Sequence, residues 1–264
     1  MKATRILLLP ALVLAGWGPS AASAAETGFL DRVVVVDEVD YLYQVYVPRN
    51  YEDSISWPVI LTLHGTGVRG TDGIRQTQSG LGTALRRYPD RYPAIVVFPQ
   101  SPIEGPGWQE LGGRVALAAL DQTLSEFSAD AARVYLTGYS QGGNGTWYLA
   151  YHHPQRFAAA VAVCGFVQER VSETTGLYPA IAPSSSPDPF GEVARRVSQL
   201  PVWIFHGDAD QTISVEQSRG MATALQALGA DVKYTEFPGV GHNAWDLAYG
   251  LEALSDWLFE QRLP

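Results

Sequence analysis

Residues 138–142 read Gly138-Tyr139-Ser140-Gln141-Gly142, a serine set between glycines. The apolar run Val134-Tyr135-Leu136 precedes it and a helix-like run from Gly143 follows. At a strand-to-helix junction such a serine sits in a sharp, strained turn that lifts its hydroxyl clear of the sheet. Side chains at the flanking positions would collide with neighbouring backbone, which is why glycine is needed there. A serine hydroxyl is a weak nucleophile at neutral pH. It requires a neighbouring base, and the base requires an orienting carboxylate.

The sequence offers five histidines. His152 and His153 end the helical run after the serine, which puts them far from its tip. There they suit the negative end of a helix. His206 opens the turn His206-Gly207-Asp208-Ala209-Asp210 and is expected to support that loop. His64 closes an apolar run. His242 lies in Pro238-Gly239-Val240-Gly241-His242-Asn243, a glycine-bounded loop from which a base can reach the serine. His242 is therefore the expected base. Asp208 and Asp210 both qualify as the acid. Asp208 directly follows a glycine and suits a local turn cap, whereas Asp210 sits deeper in the loop and is favoured. An attacked carbonyl also needs two preorganised N–H donors for its developing oxyanion. The expected donors are the backbone of Gln141, directly after the serine, and that of Thr66 in His64-Gly65-Thr66-Gly67. Trp108, Tyr139 and Trp245 are candidates for substrate contact, and core packing suits each of them equally. No Cys/His cluster has metal-ligand spacing and no Gly-x-x-x-x-Gly-Lys loop is present, so no cofactor or metal is expected.

Strands with helices between them must position these groups. Val33 to Val36 and Leu42 to Val47 read as an early antiparallel pair joined through Asp37 to Asp40. Val59 to Leu63, Ala94 to Phe98, Val134 to Thr137, Ala158 to Val163, Val202 to Phe205 and Val232 to Phe237 read as further strands. From Val59 onward they are continuously apolar rather than alternating, the mark of strands covered on both faces of a parallel sheet. Helical spacing marks Leu111 to Phe127, Gly143 to His153, Val215 to Leu228 and Leu247 to Phe259. Strand–helix alternation predicts a doubly wound α/β fold, in which ligands gather at the carboxyl ends of strands. Gly165 to Leu200 breaks the rhythm with four prolines and a Ser184-Ser185-Ser186 run. It reads as a long excursion with one short helix, Glu192 to Gln199, too small for a full cap domain.

The first residues carry Lys2 and Arg5, an apolar run from Ile6 to Ala15 and the small residues Ala22-Ser23-Ala24. That is the pattern of a secretory signal peptide spanning residues 1–24. The run is too short and too interrupted by Pro10 for a membrane span. Residues 25–264 are expected to form a single catalytic domain, secreted or periplasmic, with no further membrane span. The formal net charge is −9, which disfavours nucleic-acid or anionic-membrane partners and suits a small-molecule or polymer substrate. The single cysteine, Cys164, excludes an intramolecular disulfide and reads as an inert core thiol.

Taken together, His64-Gly65, the serine pentapeptide with Gly143, His206-Gly207-Asp208-Ala209-Asp210 and Gly239-Val240-Gly241-His242-Asn243-Ala244-Trp245-Asp246 resemble the esterase branch of the α/β-hydrolases. The likeness runs from about Val33 to the end. It points to secreted phospholipase/carboxylesterase-like proteins also described as predicted peptidases, relatives of feruloyl and acetylxylan esterases and polyhydroxybutyrate depolymerases. It implies an α/β-hydrolase fold with a mostly parallel central sheet flanked by helices. The chain order Ser140, Asp210, His242 is that of these enzymes, and the family's acid falls on the second Asp of the His-Gly-x-x-Asp motif, Asp210. The implied activity is a serine carboxylesterase working through an acyl-enzyme. A peptidase or amidase on the same machinery, and a non-catalytic binding module, are the alternatives.

Overall fold

The computed structural model describes residues 26–102, 105–172 and 176–264; the expected leader, residues 1–24, lies outside the described residues. The strands are β1 (Gly28–Val36), β2 (Val39–Val47), β3 (Trp57–Leu63), β4 (Ile95–Pro99), β5 (Ala129–Tyr139), β6 (Ala159–Val163), β7 (Arg170–Ser172), β8 (Gly176–Tyr178), β9 (Val202–Gly207) and β10 (Val232–Phe237). The helices are α1 (Leu81–Arg87), α2 (Leu111–Glu126), α3 (Gln141–His152), α4 (Pro189–Val197), α5 (Glu216–Ala227), α6 (Trp245–Gly250) and α7 (Glu252–Glu260). Among the described residues, eight strands form one sheet in the order β1-β2-β4-β3-β5-β6-β9-β10. β1 and β2 pair antiparallel, and β2 joins β4 antiparallel. Every pairing from β4 across to β10 is parallel. Asp37 and Glu38 take the positive φ values, 52° and 64°, that a two-residue hairpin turn requires.

The chain steps from β3 outward to β4 and then returns past β3 to lay down β5. This reversal brings the carboxyl ends of β3 and β5 side by side, with Leu63 paired to Gly138. Such a switch point leaves a crevice between the two departing loops. One loop begins at His64 and the other at Ser140, so the topology itself brings two of the sequence motifs together.

Successive side chains on a strand face opposite sides, and the continuously apolar strands feed two cores. Leu61, Val97, Leu136 and Ile204 pack with α2, α3 and α5 through residues such as Val115, Trp147 and Met221. Ile60, Val96, Tyr135 and Trp203 face the other side, where α1 and α7 cover them through Leu85 and Trp257. No helix among the described residues is long and apolar enough to cross a membrane.

Among the differences from the sequence expectation, three concern the later half of the chain. The last helix is not continuous. Leu251 is extended (φ −74°, ψ 124°), separating α6 from α7. Side chains from a distant segment satisfy the carbonyls freed by the break: Arg91 donates to Gly250 O at 2.6 Å and the Tyr92 hydroxyl to Tyr249 O at 2.7 Å. Helix α4 begins at Pro189 rather than Glu192, because the Asp188 carboxylate accepts from Gly191 N–H at 2.9 Å and Pro189 suits the first turn. The excursion between β6 and β9 also contains a β7–β8 hairpin, for which the sequence raised no expectation.

Candidate active site

Ser140 stands between β5 and α3 with φ 56° and ψ −120°. A non-glycine residue there is strained by about 1–3 kcal/mol, so its surroundings must fix it. Its N–H donates to Val163 O at 2.9 Å, and its carbonyl accepts from Asn144 N–H at 3.0 Å. The flanking glycines allow the approach. A Cβ on Gly142 would stand 1.9 Å from Leu63 O, and one on Gly138 would stand 2.3 Å from Gly142 O.

The Ser140 hydroxyl lies 2.8 Å from His242 Nε2, and His242 Nδ1 lies 2.7 Å from Asp210 Oδ2. With Nδ1 carrying the proton toward the carboxylate, Nε2 is free to accept from the hydroxyl. Asp210 Oδ1 accepts from the backbone N–H groups of Thr212 and Ile213 at 2.8 and 2.9 Å. Its Oδ2 accepts a second imidazole, His206 Nε2–H, at 3.1 Å. His206 is itself fixed, since Nδ1 accepts from the Ser218 hydroxyl at 2.7 Å and Nε2–H also reaches Ile213 O at 3.0 Å. Burial opposes ionisation of Asp210. Hydrogen bonds from His206, His242 and Ile213 N–H outweigh it and hold the carboxyl far below the usual carboxylate range. The other candidate acid, Asp208, faces elsewhere. It accepts from Gly239 N–H at 2.6 Å and so pins the loop that carries His242.

Gln141 opens α3 and Thr66 opens a short 3₁₀ turn, Thr66–Val68. The N–H groups at the start of such turns have no partner within the turn itself. The Thr66 loop runs close to the serine, because a Cβ on Gly65 would come within 3.5 Å of Ser140 Cβ. His64 braces this loop. Its Nδ1–H donates to Gly65 O at 2.7 Å and its Nε2 accepts from Ser101 N–H at 3.0 Å. Accepting at Nε2 needs a neutral ring, and burial lowers the His64 pKa from 6.5 to about 4. Trp108 completes the brace by donating its indole N–H to His64 O at 2.9 Å.

That position corrects the expectation of substrate contact for Trp108. The residue is 0% exposed and packs edge-on against the His64 ring, because its N–H has a backbone partner below the site. Tyr139 and Trp245 do line the cavity above Ser140. Their rings lie 4.5 Å apart, and the Tyr139 hydroxyl is 2.5 Å from Ser79 Oγ. The cavity measures about 440 Å³ and opens onto Ser140, His242 and Thr66. Its far wall carries Arg170 and Ser172 from β7. Sequence reasoning passed over these two, although the Arg170-Val171-Ser172 alternation was a signal for a short strand with one polar face.

Cys164 lies beneath the site, fully buried, with φ 40°. Among the described residues, its sulfur forms with Asp210 and His242 one compact group of potential metal ligands, all within 4.8 Å. The group is ill suited to a cation. The imidazole and carboxylate are already bonded to each other, and burial pushes the thiol up so that it stays protonated.

As assembled, these groups can pass a proton from a hydroxyl to an imidazole whose positive form faces a fixed carboxylate. That is the machinery of acyl transfer.

Known proteins share this architecture. The chain is 28% identical over 198 residues to acetylxylan esterase A of Emericella nidulans, covering 65% of this chain and 62% of that protein. It is 28% identical over 212 residues to an uncharacterized secreted protein of Arthroderma benhamiae, covering 73% of this chain and 22% of that one. Both relatives are thus longer than the part this chain spans. A solved thermostable esterase superposes with a TM-score of 0.73 at 28% identity, over 89% of this chain and 63% of its own. The mostly parallel sheet with helices on both faces is the α/β-hydrolase fold. The model of the prolyl oligopeptidase family matches residues 116–261, more than half of the sequence, and the chain belongs to that family.

Proposed function

We propose that the protein is a serine hydrolase that cleaves carboxylic esters through an acyl-enzyme. Ser140 Oγ attacks the ester carbonyl carbon as its proton passes to His242 Nε2. The imidazolium is stabilised by Asp210 and returns the proton to the departing alkoxide. Water then repeats the sequence to free the acid and restore Ser140. The N–H groups of Gln141 and Thr66 hold the oxyanion in both halves, and Tyr139 and Trp245 flank the bound ester. One observation carries the reading: the 2.8 Å approach of Ser140 to His242, whose other nitrogen rests on Asp210, at the floor of an open cavity.

The test is hydrolysis of short p-nitrophenyl esters together with labelling by a fluorophosphonate. Ser140→Ala is expected to abolish both, by a factor on the order of 10⁴ or more in kcat, with the circular dichroism unchanged. An unlabelled wild-type protein without esterase activity would favour a binding module.

The acetylxylan esterase relative supports acetylated polysaccharide as the polymer to try first. Family membership supports a second reading, cleavage of peptide or amide bonds by the same residues. An amide departs only when protonated, so a matched ester and anilide separate the two. Turnover of the anilide within about tenfold of the ester would favour the peptidase. We also read residues 1–24 as a cleaved secretory leader and 25–264 as one catalytic domain. The basic, apolar and small-residue succession supports this, as does the relative named as secreted. N-terminal sequencing of exported protein tests it, and a retained leader would overturn it.

A further inference from the structure

We propose that Arg170 makes this cavity selective for esters that carry a carboxylate beside the scissile bond. The inference rests on the esterase reading and deepens it. The sequence as a whole carries a formal charge of −9, which repels anionic substrates at long range. The cavity wall reverses that sign locally. Among the described residues that line it, Arg170 is the one Lys or Arg, and no Asp or Glu faces it.

The β7–β8 hairpin explains why the guanidinium is there. In its register Arg170 pairs with Tyr178, and Val171 with Leu177. Alternation therefore turns Arg170, Ser172 and Tyr178 to one side and Val171 and Leu177 to the other. The first side meets the site. Arg170 and Ser172 line the cavity, and the Tyr178 hydroxyl accepts from Gln141 Nε2 at 2.6 Å. The second side is bare, with Val171 73% and Leu177 50% exposed. A hairpin that turns its aliphatic side to water and its cation to the cavity has the opposite polarity from one that merely covers a core.

Arg170 is held, and no described residue neutralises it. Its Nη2 donates to Thr212 O at 2.8 Å and its guanidinium lies 5.8 Å from the Phe166 ring centre. Thr212 follows Asp210 in the acid loop, so this bond fixes the cation relative to the relay. No carboxylate among the described residues stands within salt-bridge distance of it. A guanidinium offers five N–H donors in a planar fork that fits a carboxylate. Such a pair is charge-assisted and directional, so it discriminates by geometry as well as by sign.

Two matched ester pairs test the inference: p-nitrophenyl butyrate against the mono-p-nitrophenyl ester of glutaric acid, and phenyl acetate against m-carboxyphenyl acetate. The first pair places the acid on the acyl side, the second on the alcohol side. Wild-type protein is expected to favour the acidic member of at least one pair by about tenfold in kcat/KM, expressed in KM. Arg170→Gln should remove the preference by lowering kcat/KM for the acidic ester well beyond any change on its neutral partner, Arg170→Lys should keep part of it, and added salt should weaken it. Equal treatment of both members in both pairs, or an equal loss on neutral and acidic esters in Arg170→Gln, overturns the inference. Absence of turnover on all four esters would overturn the esterase reading itself, so the two failures are distinct.

Discussion

The floor of the site and its far wall are built on different principles. On the floor, polar groups are buried and nearly all have partners. Asp210 takes four hydrogen bonds, His64 is bonded at both nitrogens, and Ser140 is tied to Val163 through its backbone. The wall is a hairpin of two three-residue strands, half exposed, that turns a single cation inward. Chemistry demands geometry fixed to fractions of an ångström, which only a close-packed, fully bonded surround can supply. Choice of substrate needs only a charge at roughly the right place, and a small surface element can change it without disturbing the sheet.

The largest effect should come from disturbing the floor's backbone. Gly142→Ala places a methyl group on Leu63 O and is expected to destabilise the fold by about 3 kcal/mol or more, or to prevent folding. A urea midpoint within error of wild type would show that the floor yields more readily than its packing implies. Acid should come next. The folded pKa of His64 is depressed, to about 4 from 6.5. Its contribution is therefore complete above the unfolded value and is lost as pH falls below it, by about 2 kcal/mol near pH 5. Urea titrations at about pH 7.5 and about pH 5 measure this, and a His64→Gln variant should flatten the difference. Removing the second imidazole beneath Asp210 should act on rate. His206→Leu is expected to lower kcat about tenfold with KM nearly constant. An unchanged kcat would reduce His206 to a support for its own loop. The wall should show the smallest response. Val171→Ser with Leu177→Ser is expected to leave stability within about 0.5 kcal/mol and turnover of short esters unaltered. A large loss would mean that the hairpin shares the rigidity of the floor.

Signals confined to a few neighbouring residues were legible in the sequence. The parallel strands announce themselves by unbroken apolar runs. The serine turn does so by its glycines, and the acid and base loops do so by their positions after β9 and β10. Asp210, His242 and Ser140 meet because those loops leave the same edge of one sheet. What escaped depends on partners far along the chain. Trp108 suited substrate contact and core packing equally because nothing nearby shows that His64 O claims its indole. The break at Leu251 rests on Arg91 and Tyr92, some 160 residues earlier. Arg170 lay in a proline-rich stretch, where the polar–apolar alternation of three-residue strands is too brief to show which element they pair with.

The enclosed thiol of Cys164 gives the molecule its own clock. It is the sole cysteine in the sequence, sealed under the relay. A bulky alkylating reagent can meet it only after the layers above it part. The pace of its modification, followed with no label added, reports how often the heart of this protein opens to solvent.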